Sequence, residues 1–201
     1  MRTDPPEPKP AFLDRFQKLG SNLFIGLLVT VLSVLTALTN YATYRANGIA
    51  TGHDTEGSRL LANSNTEYVR ATQFIILDYT MFDGYYTQQD VDKFAAEYYQ
   101  SNFSQALQSS VERGDTFDDQ YYDEMYAHSD ELFTQAFEEF DNANTASEQE
   151  AAYQLAMLIA AVGLSFAAYA SLLGEKNRLR SLFALMSMIM LVLSVGQYLV
   201  A

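Results

Sequence analysis

Apolar residues fall into three long runs separated by polar stretches. The runs cover 22–44, 151–174 and 181–201, and none of them contains a charged residue. About 20 such residues in an α-helix cross the hydrocarbon core of a bilayer. Apolar runs of this length are uncommon inside water-soluble domains. The pattern therefore predicts three transmembrane helices, with the lipid bilayer as the first partner of the chain.

The polar stretch 45–150 is predicted to be helical, which makes the fold class all-α. It contains no proline and few glycines. A run of positions at alternating steps of three and four predicts one helix face. These positions are Leu61, Asn65, Tyr68, Thr72, Ile75, Tyr79 and Phe82. Cap patterns predict further helices from Thr87 and Thr116. The last one is expected to continue into 151–174, unless "DNANTAS" at 141–147 interrupts it.

Charge is segregated along the chain, whose net charge is −13. Residues 41–151 hold 21 of the 25 acids and five of the 12 Lys and Arg residues. The tail 1–21 and the loop 175–180 are basic, through Arg2, Lys9, Arg15, Lys18, Lys176, Arg178 and Arg180. Basic ends of spans face the cytoplasm. We therefore expect a plasma (inner) membrane protein whose acidic domain and C-terminus are extracytoplasmic. The first run is long for a cleaved signal and lacks a cleavage site, so it predicts a signal anchor.

Composition excludes several function classes. The chain has no cysteine and two histidines, so disulfides and cysteine-based zinc sites are impossible. The acidic balance argues against nucleic acid as a partner. No Asp, Glu, Lys, Arg or His lies in the three runs, which argues against an ion-coupled transporter. No nucleophile motif, phosphate loop or dinucleotide pattern is present. We expect no enzyme and no cofactor.

Carboxylates and one histidine give two candidate cation sites. Glu124, His128 and Glu131 share one border of a predicted helix and could bind a metal. The alternative is a boundary histidine hydrogen bonded to a glutamate. Asp115, Asp118 and Asp119 cluster near Gly114 and could bind a divalent cation weakly. The alternative there is helix capping.

Small and amide residues recur on the predicted spans. Small side chains on one face let helices pack closely in lipid. The helix-packing candidates are Gly26, Thr30, Ser33 and Ala37 in the first span, and Ala156, Ala160, Gly163 and Ala167 in the second. These faces could join spans within one subunit, or join subunits. Asn40, Gln154 and Gln197 share the outer level and could hydrogen bond across helices. Tyr41, Tyr44, Tyr153 and Tyr198 predict an aromatic belt at that level.

Aromatic residues concentrate in the acidic domain. The interface candidates are Tyr79, Phe82, Tyr85, Tyr86, Tyr121 and Tyr122. They could pack between helices or anchor a partner subunit, since aromatic residues dominate interfaces.

The layout resembles three-span bacterial membrane proteins of unknown function, which have one N-terminal span, a helical middle and two closing spans. The residues behind this resemblance are "ANSNTEYVRA" at 62–71 and "AAYQLAMLIAAVGLSFAAYASLL" at 151–173. The resemblance implies a topology and no activity. The sequence favours a structural or accessory protein, either a homo-oligomeric scaffold or a subunit of a larger membrane complex. The alternative is a passive cation-conducting oligomer with an acidic vestibule.

Overall fold

The computed structural model describes residues 21–174 and 177–201. The basic residues Arg2, Lys9, Arg15, Lys18 and Lys176 lie outside these ranges. The described chain forms five α-helices and no strand. They are α1 (Asn22–Gln88), α2 (Lys93–Ser101), α3 (Gln105–Arg113), α4 (Asp119–Leu172) and α5 (Arg178–Val200). The all-α prediction is confirmed.

Three helices, α1, α4 and α5, are long and apolar enough to cross a membrane. Two of them extend far beyond a span, because α1 has 67 residues and α4 has 54. The helix α4 runs without a break through 141–147, as expected from the absence of proline. The continuity of α1 through Gly48, Gly52 and Gly57 was not predicted. Glycine disfavours a helix by only about 1 kcal/mol, so packing of the helix can outweigh it.

The predicted start of a helix at Thr87 is wrong. Thr87 lies in the last turn of α1, where its hydroxyl donates to the carbonyl of Asp83. The next helix begins after Asp92, whose carboxylate accepts from the amides of Phe94 and Ala95. An aspartate that accepts two orphan amides is a stronger cap than a threonine still held in the preceding helix.

The predicted start at Thr116 is also displaced, because α4 begins at Asp119. Phe117 has a φ of 61°, which is incompatible with a right-handed helix. Its amide donates to Ser110 Oγ at 2.8 Å. The cap is Asp118, which accepts from the amide of Tyr121. A further helix, α3, was not predicted; Ser104 is its N-cap.

The chain divides into two compact units. The span unit comprises the chain up to Ala50 and Asn144–Ala201, and the acidic unit comprises Thr51–Ala143. In the span unit, leucines of α1 pack against small residues of α4. This core contains Leu28, Leu32, Leu35, Ala160 and Ala167. The helix α5 closes the bundle, where Ser194 Oγ donates to the carbonyl of Ala156 at 2.7 Å.

In the acidic unit, α1 and α4 run antiparallel. His53 Nδ1 lies 2.6 Å from Glu139, and Ser64 Oγ donates to the carbonyl of Ser129. The short helices α2 and α3 follow the end of α1 and complete an apolar cluster. Its buried members are Ile75, Phe103, Ala106, Leu107 and Tyr121. This cluster gives the acidic unit a core of its own.

Candidate functional site

The small residues of the first span lie on the exposed face of α1. Gly26, Thr30, Ser33 and Ala37 are all exposed in the span bundle. The face that packs carries Ile25, Leu28, Leu32, Leu35 and Thr39 instead. The prediction that these four small residues could join the spans of one subunit is therefore wrong for α1. They form an unpartnered face, which we call the α1 seam.

The corresponding residues of the second span pack as expected. Ala156, Ala160 and Ala167 have no exposed surface. A Cβ at Gly163 would lie 2.9 Å from Met190 Cβ and 3.2 Å from Leu32 Cδ2. Large side chains on α1 and α5 thus fill the space that small residues leave on α4. Because the bundle pairs small with large, α1 contributes its leucine face and leaves its small face outside.

The α1 seam has free space above it, and its one described hydroxyl contact lies within the helix. A Cβ at Gly26 would meet no atom within 4 Å. The Thr30 hydroxyl donates to the carbonyl of Gly26 at 2.9 Å, so it is already satisfied within the helix. Leu27 and Val34 border the seam and are more than half exposed. Such a surface is suited to close approach by another helix in lipid.

The three amides at the outer level do not form a cluster. Gln154 Nε2 donates to Glu150 Oε1 at 2.7 Å, one turn earlier on the same helix. No hydrogen bond joins Asn40, Gln154 and Gln197 within residues 21–174 and 177–201. The same carboxylate of Glu150 accepts from Asn47 Nδ2 at 3.0 Å. Glu150 of α4 therefore accepts from one of the three predicted amides, Gln154, and from Asn47.

The predicted metal site is not assembled. His128 Nδ1 lies 3.9 Å from Glu131 Oε2, and both side chains are about two-thirds exposed. Glu124 points elsewhere, towards Gln120 at 2.9 Å and Arg113 at 3.7 Å. No cluster of three metal-binding side chains occurs in the described part of the chain. The alternative of a histidine hydrogen bonded to a glutamate is not formed either, because 3.9 Å is too long for a hydrogen bond.

The acidic turn before α4 is occupied by capping and by an ion pair. Arg113 donates to both oxygens of Asp118 at 2.6 and 2.7 Å, and this contact holds the pKa of Asp118 below its usual value. Asp119 begins α4, where a negative charge favours the helix dipole. Asp115 contributes its carbonyl to Ser110. These contacts correspond to the capping alternative for this turn.

The aromatic interface candidates separate into core and surface. Tyr121 has no exposed surface, so its assignment to an interface is wrong. Phe82, Tyr85 and Tyr122 are half-buried and pack against the cluster around it. Tyr79 and Tyr86 remain exposed, at 44% and 66%. The hydroxyls of Tyr79 and Tyr122 hydrogen bond, which raises the pKa of Tyr122 to about 12.

A buried aspartate that the sequence reading did not single out organises this cluster. Asp78 is 2% exposed and accepts hydrogen bonds from the Ser104 amide, the Ser104 hydroxyl and the Tyr121 hydroxyl. Burial, and then the bond to Asp78, raise the pKa of Tyr121. The signal was the lone acid in "FIILDYTMF", on the apolar face predicted for α1. Asp78 thereby fixes the N-terminus of α3 to α1.

No protein-family model, curated protein or solved structure matches this chain. The resemblance to three-span bacterial proteins therefore stays a prediction. The described residues form an all-α structure with three helices long and apolar enough to cross a membrane, which indicates a membrane protein. Gly26, Thr30, Ser33 and Ala37 of the first apolar run remain an exposed, unpartnered row of small residues.

Proposed function

We propose that this protein is a non-enzymatic, self-associating membrane scaffold, in which the α1 seam packs against the α1 seam of a second copy. The seam itself carries the proposal. Apolar surface gains nothing by leaving lipid, so spans associate where small residues allow close backbone contact. The small residues of α4 that face α1 and α5 are already packed, whereas all four residues of the α1 seam are exposed. A second exposed row of small residues, Ala161, Ser165 and Ala168, lies on α4.

The charge pattern supports an orientation for the scaffold. The helix α5 begins with Arg178, and the tail before α1 is basic in sequence, so both would lie at the cytoplasmic side. The acidic domain 45–150 and the C-terminus would then be extracytoplasmic, in the plasma or inner membrane. In this arrangement the exposed Tyr79 and Tyr86 are available to contact a further copy or another membrane subunit.

Crosslinking tests the contact directly, because the chain contains no cysteine. Ser33→Cys places one thiol on the α1 seam, and Val192→Cys places one on the exposed face of α5. In oxidised membranes we expect a disulfide dimer from Ser33→Cys and little from Val192→Cys. Equal crosslinking of the two variants, or none from Ser33→Cys, would contradict the proposed contact.

A matched pair of glycine variants tests the assembly without crosslinking. Gly26 and Gly196 both have open space where a Cβ would be built. Gly26→Leu should convert the oligomer to monomer in native mass spectrometry from lipid nanodiscs, whereas Gly196→Leu should leave it intact. A wild-type protein that is monomeric in nanodiscs would refute the scaffold.

A passive cation pathway is the second candidate. The α1 seam presents the hydroxyls of Thr30 and Ser33, and the exposed Asn40 follows Ala37 by three residues, so an oligomer closed around this face would have a polar axis. The acidic excess of residues 41–151 would concentrate cations at its mouth. Cation efflux from liposomes that is lost in Gly26→Leu would favour this candidate. If liposomes that contain the wild-type protein retain their cations, the cation pathway is excluded and the scaffold remains as the proposed function.

A further inference from the structure

A groove opens at the end of the span unit where the first run ends and the second begins. It has a volume of about 300 Å³. Its lining comes from α1, α4 and α5, and consists of Ala42, Arg45, Ala46, Ile49, Gln149, Tyr153 and Tyr198. Arg45 is the first residue after the apolar run 22–44, Tyr153 is near the start of the second run, and Tyr198 is in the last turn of α5. The groove therefore lies at the level expected for lipid headgroups.

The polar side chains of the groove are hydrogen-bond donors without partners. Within the described ranges, the Arg45 guanidinium has no carboxylate within 4 Å. The hydroxyls of Tyr153 and Tyr198 have no hydrogen-bond partner there either, although their rings pack with centroids 5.5 Å apart. Gln149 adds an exposed amide.

An unpaired arginine is unexpected in so acidic a chain. Glu150, on the same part of α4, has both oxygens engaged by Asn47 and Gln154, and it does not line the groove. Of the described arginines in the span unit, Arg178 and Arg180 belong to α5, at the other end of that helix. Arg45 is therefore a cation without an ion-pair partner among residues 21–174 and 177–201.

We propose that this groove binds a phosphate group, supplied by a phospholipid headgroup, with Arg45 as its cationic ligand and Tyr153 and Tyr198 as hydroxyl donors. A guanidinium matches phosphate oxygens in a bidentate geometry. Phospholipid phosphates occupy this depth in every leaflet, whereas free phosphate must come from solution against the negative charge of the chain. The apolar Ala42, Ala46 and Ile49 would contact the upper part of the lipid.

Native mass spectrometry of lipid-loaded protein tests the proposal. The probes are phosphatidylethanolamine and a galactosyl diacylglycerol of the same chain length, which lacks phosphate. We expect wild type to retain the phospholipid preferentially, and Arg45→Gln to reduce that retention by about tenfold. Arg45→Lys keeps the positive charge and loses the bidentate guanidinium, so it should retain an intermediate amount of phospholipid. Arg70→Gln removes an equal charge from the acidic unit and should behave as wild type.

Competition by inorganic phosphate distinguishes the two sources of the group. If inorganic phosphate fails to displace the retained phospholipid, the lipid source is supported. Displacement of the lipid by inorganic phosphate would overturn the lipid source. Equal retention of the two lipids, or unchanged retention in Arg45→Gln, would overturn the site itself. Because Arg45 is exposed, its substitution should leave the fold intact, which circular dichroism would verify.

Discussion

Removal of the Asp78 carboxylate should release α3 from α1. Asp78→Ala deletes three hydrogen bonds at one buried anion: two from Ser104 and one from the Tyr121 hydroxyl at 2.9 Å. A hydrogen bond to a charged group contributes about 1.5–3 kcal/mol, and an orphaned buried hydroxyl costs about 1–3 kcal/mol. Ser104 is only half-buried, so water can replace part of its loss. We therefore expect Asp78→Ala to cost about 4 kcal/mol and Tyr121→Phe about 2 kcal/mol.

The double variant decides whether these costs come from one shared contact. Once Asp78 is alanine, the Tyr121 hydroxyl has no acceptor to lose. The double variant should therefore cost no more than Asp78→Ala, with a coupling energy of about 2 kcal/mol. Asp83→Ala is the control, since it removes an exposed acid of α1.

Hydrogen exchange of the α3 amides is the appropriate assay, because the chain has two compact units and global unfolding need not be two-state. The loss of about 2 kcal/mol expected for Tyr121→Phe corresponds to roughly thirtyfold faster amide exchange, where exchange is limited by local opening of α3. Additive effects of the two substitutions would refute the shared contact. Unchanged exchange in Asp78→Ala would refute the role of Asp78 in fixing α3.

Three further outcomes follow from the packing and the titrating groups. Gly163→Ala should destabilise the detergent-solubilised protein by about 1–3 kcal/mol, because its Cβ would crowd Met190, while Gly26→Ala should not; equal melting temperatures would contradict this. Arg180→Met should also lower thermal stability, since Arg180 is 3% exposed and donates to the carbonyl of Leu173, whereas the exposed Arg178→Met should have little effect. The hydrogen bond that raises the pKa of Tyr122 stabilises the fold fully below pH 10, and this stabilisation is lost as the pH rises towards about 12. Tyr122→Phe should therefore flatten the decline of the circular dichroism signal between pH 10 and about 12. An unchanged slope would exclude the contribution of Tyr122.

The sequence predicted the apolar stripe of the acidic unit, but it did not predict the helix caps or the buried aspartate. The helical stripe through Ile75 and Phe82 was predicted, since burial requires apolar residues at helical spacing. The caps at Asp92, Ser104 and Asp118 were missed, because several candidate residues compete in each turn. Burial of Asp78 was missed for a different reason. Its partners, Ser104 and Tyr121, are 26 and 43 residues away in the chain.

The sequence by itself determined that the chain is helical and has three segments able to cross a bilayer. Length, apolarity and the absence of proline suffice for that, because a backbone in lipid must satisfy its own hydrogen bonds. Only the tertiary structure decided which face of each helix packs. Small residues recur on α1 and α4 at the same spacing, yet Ala160 is buried and Gly26 is exposed. Where a helix has two faces that could pack, the shape of the neighbouring helices decides which one is buried. Here Leu32 of α1 and Met190 of α5 occupy the space beside Gly163.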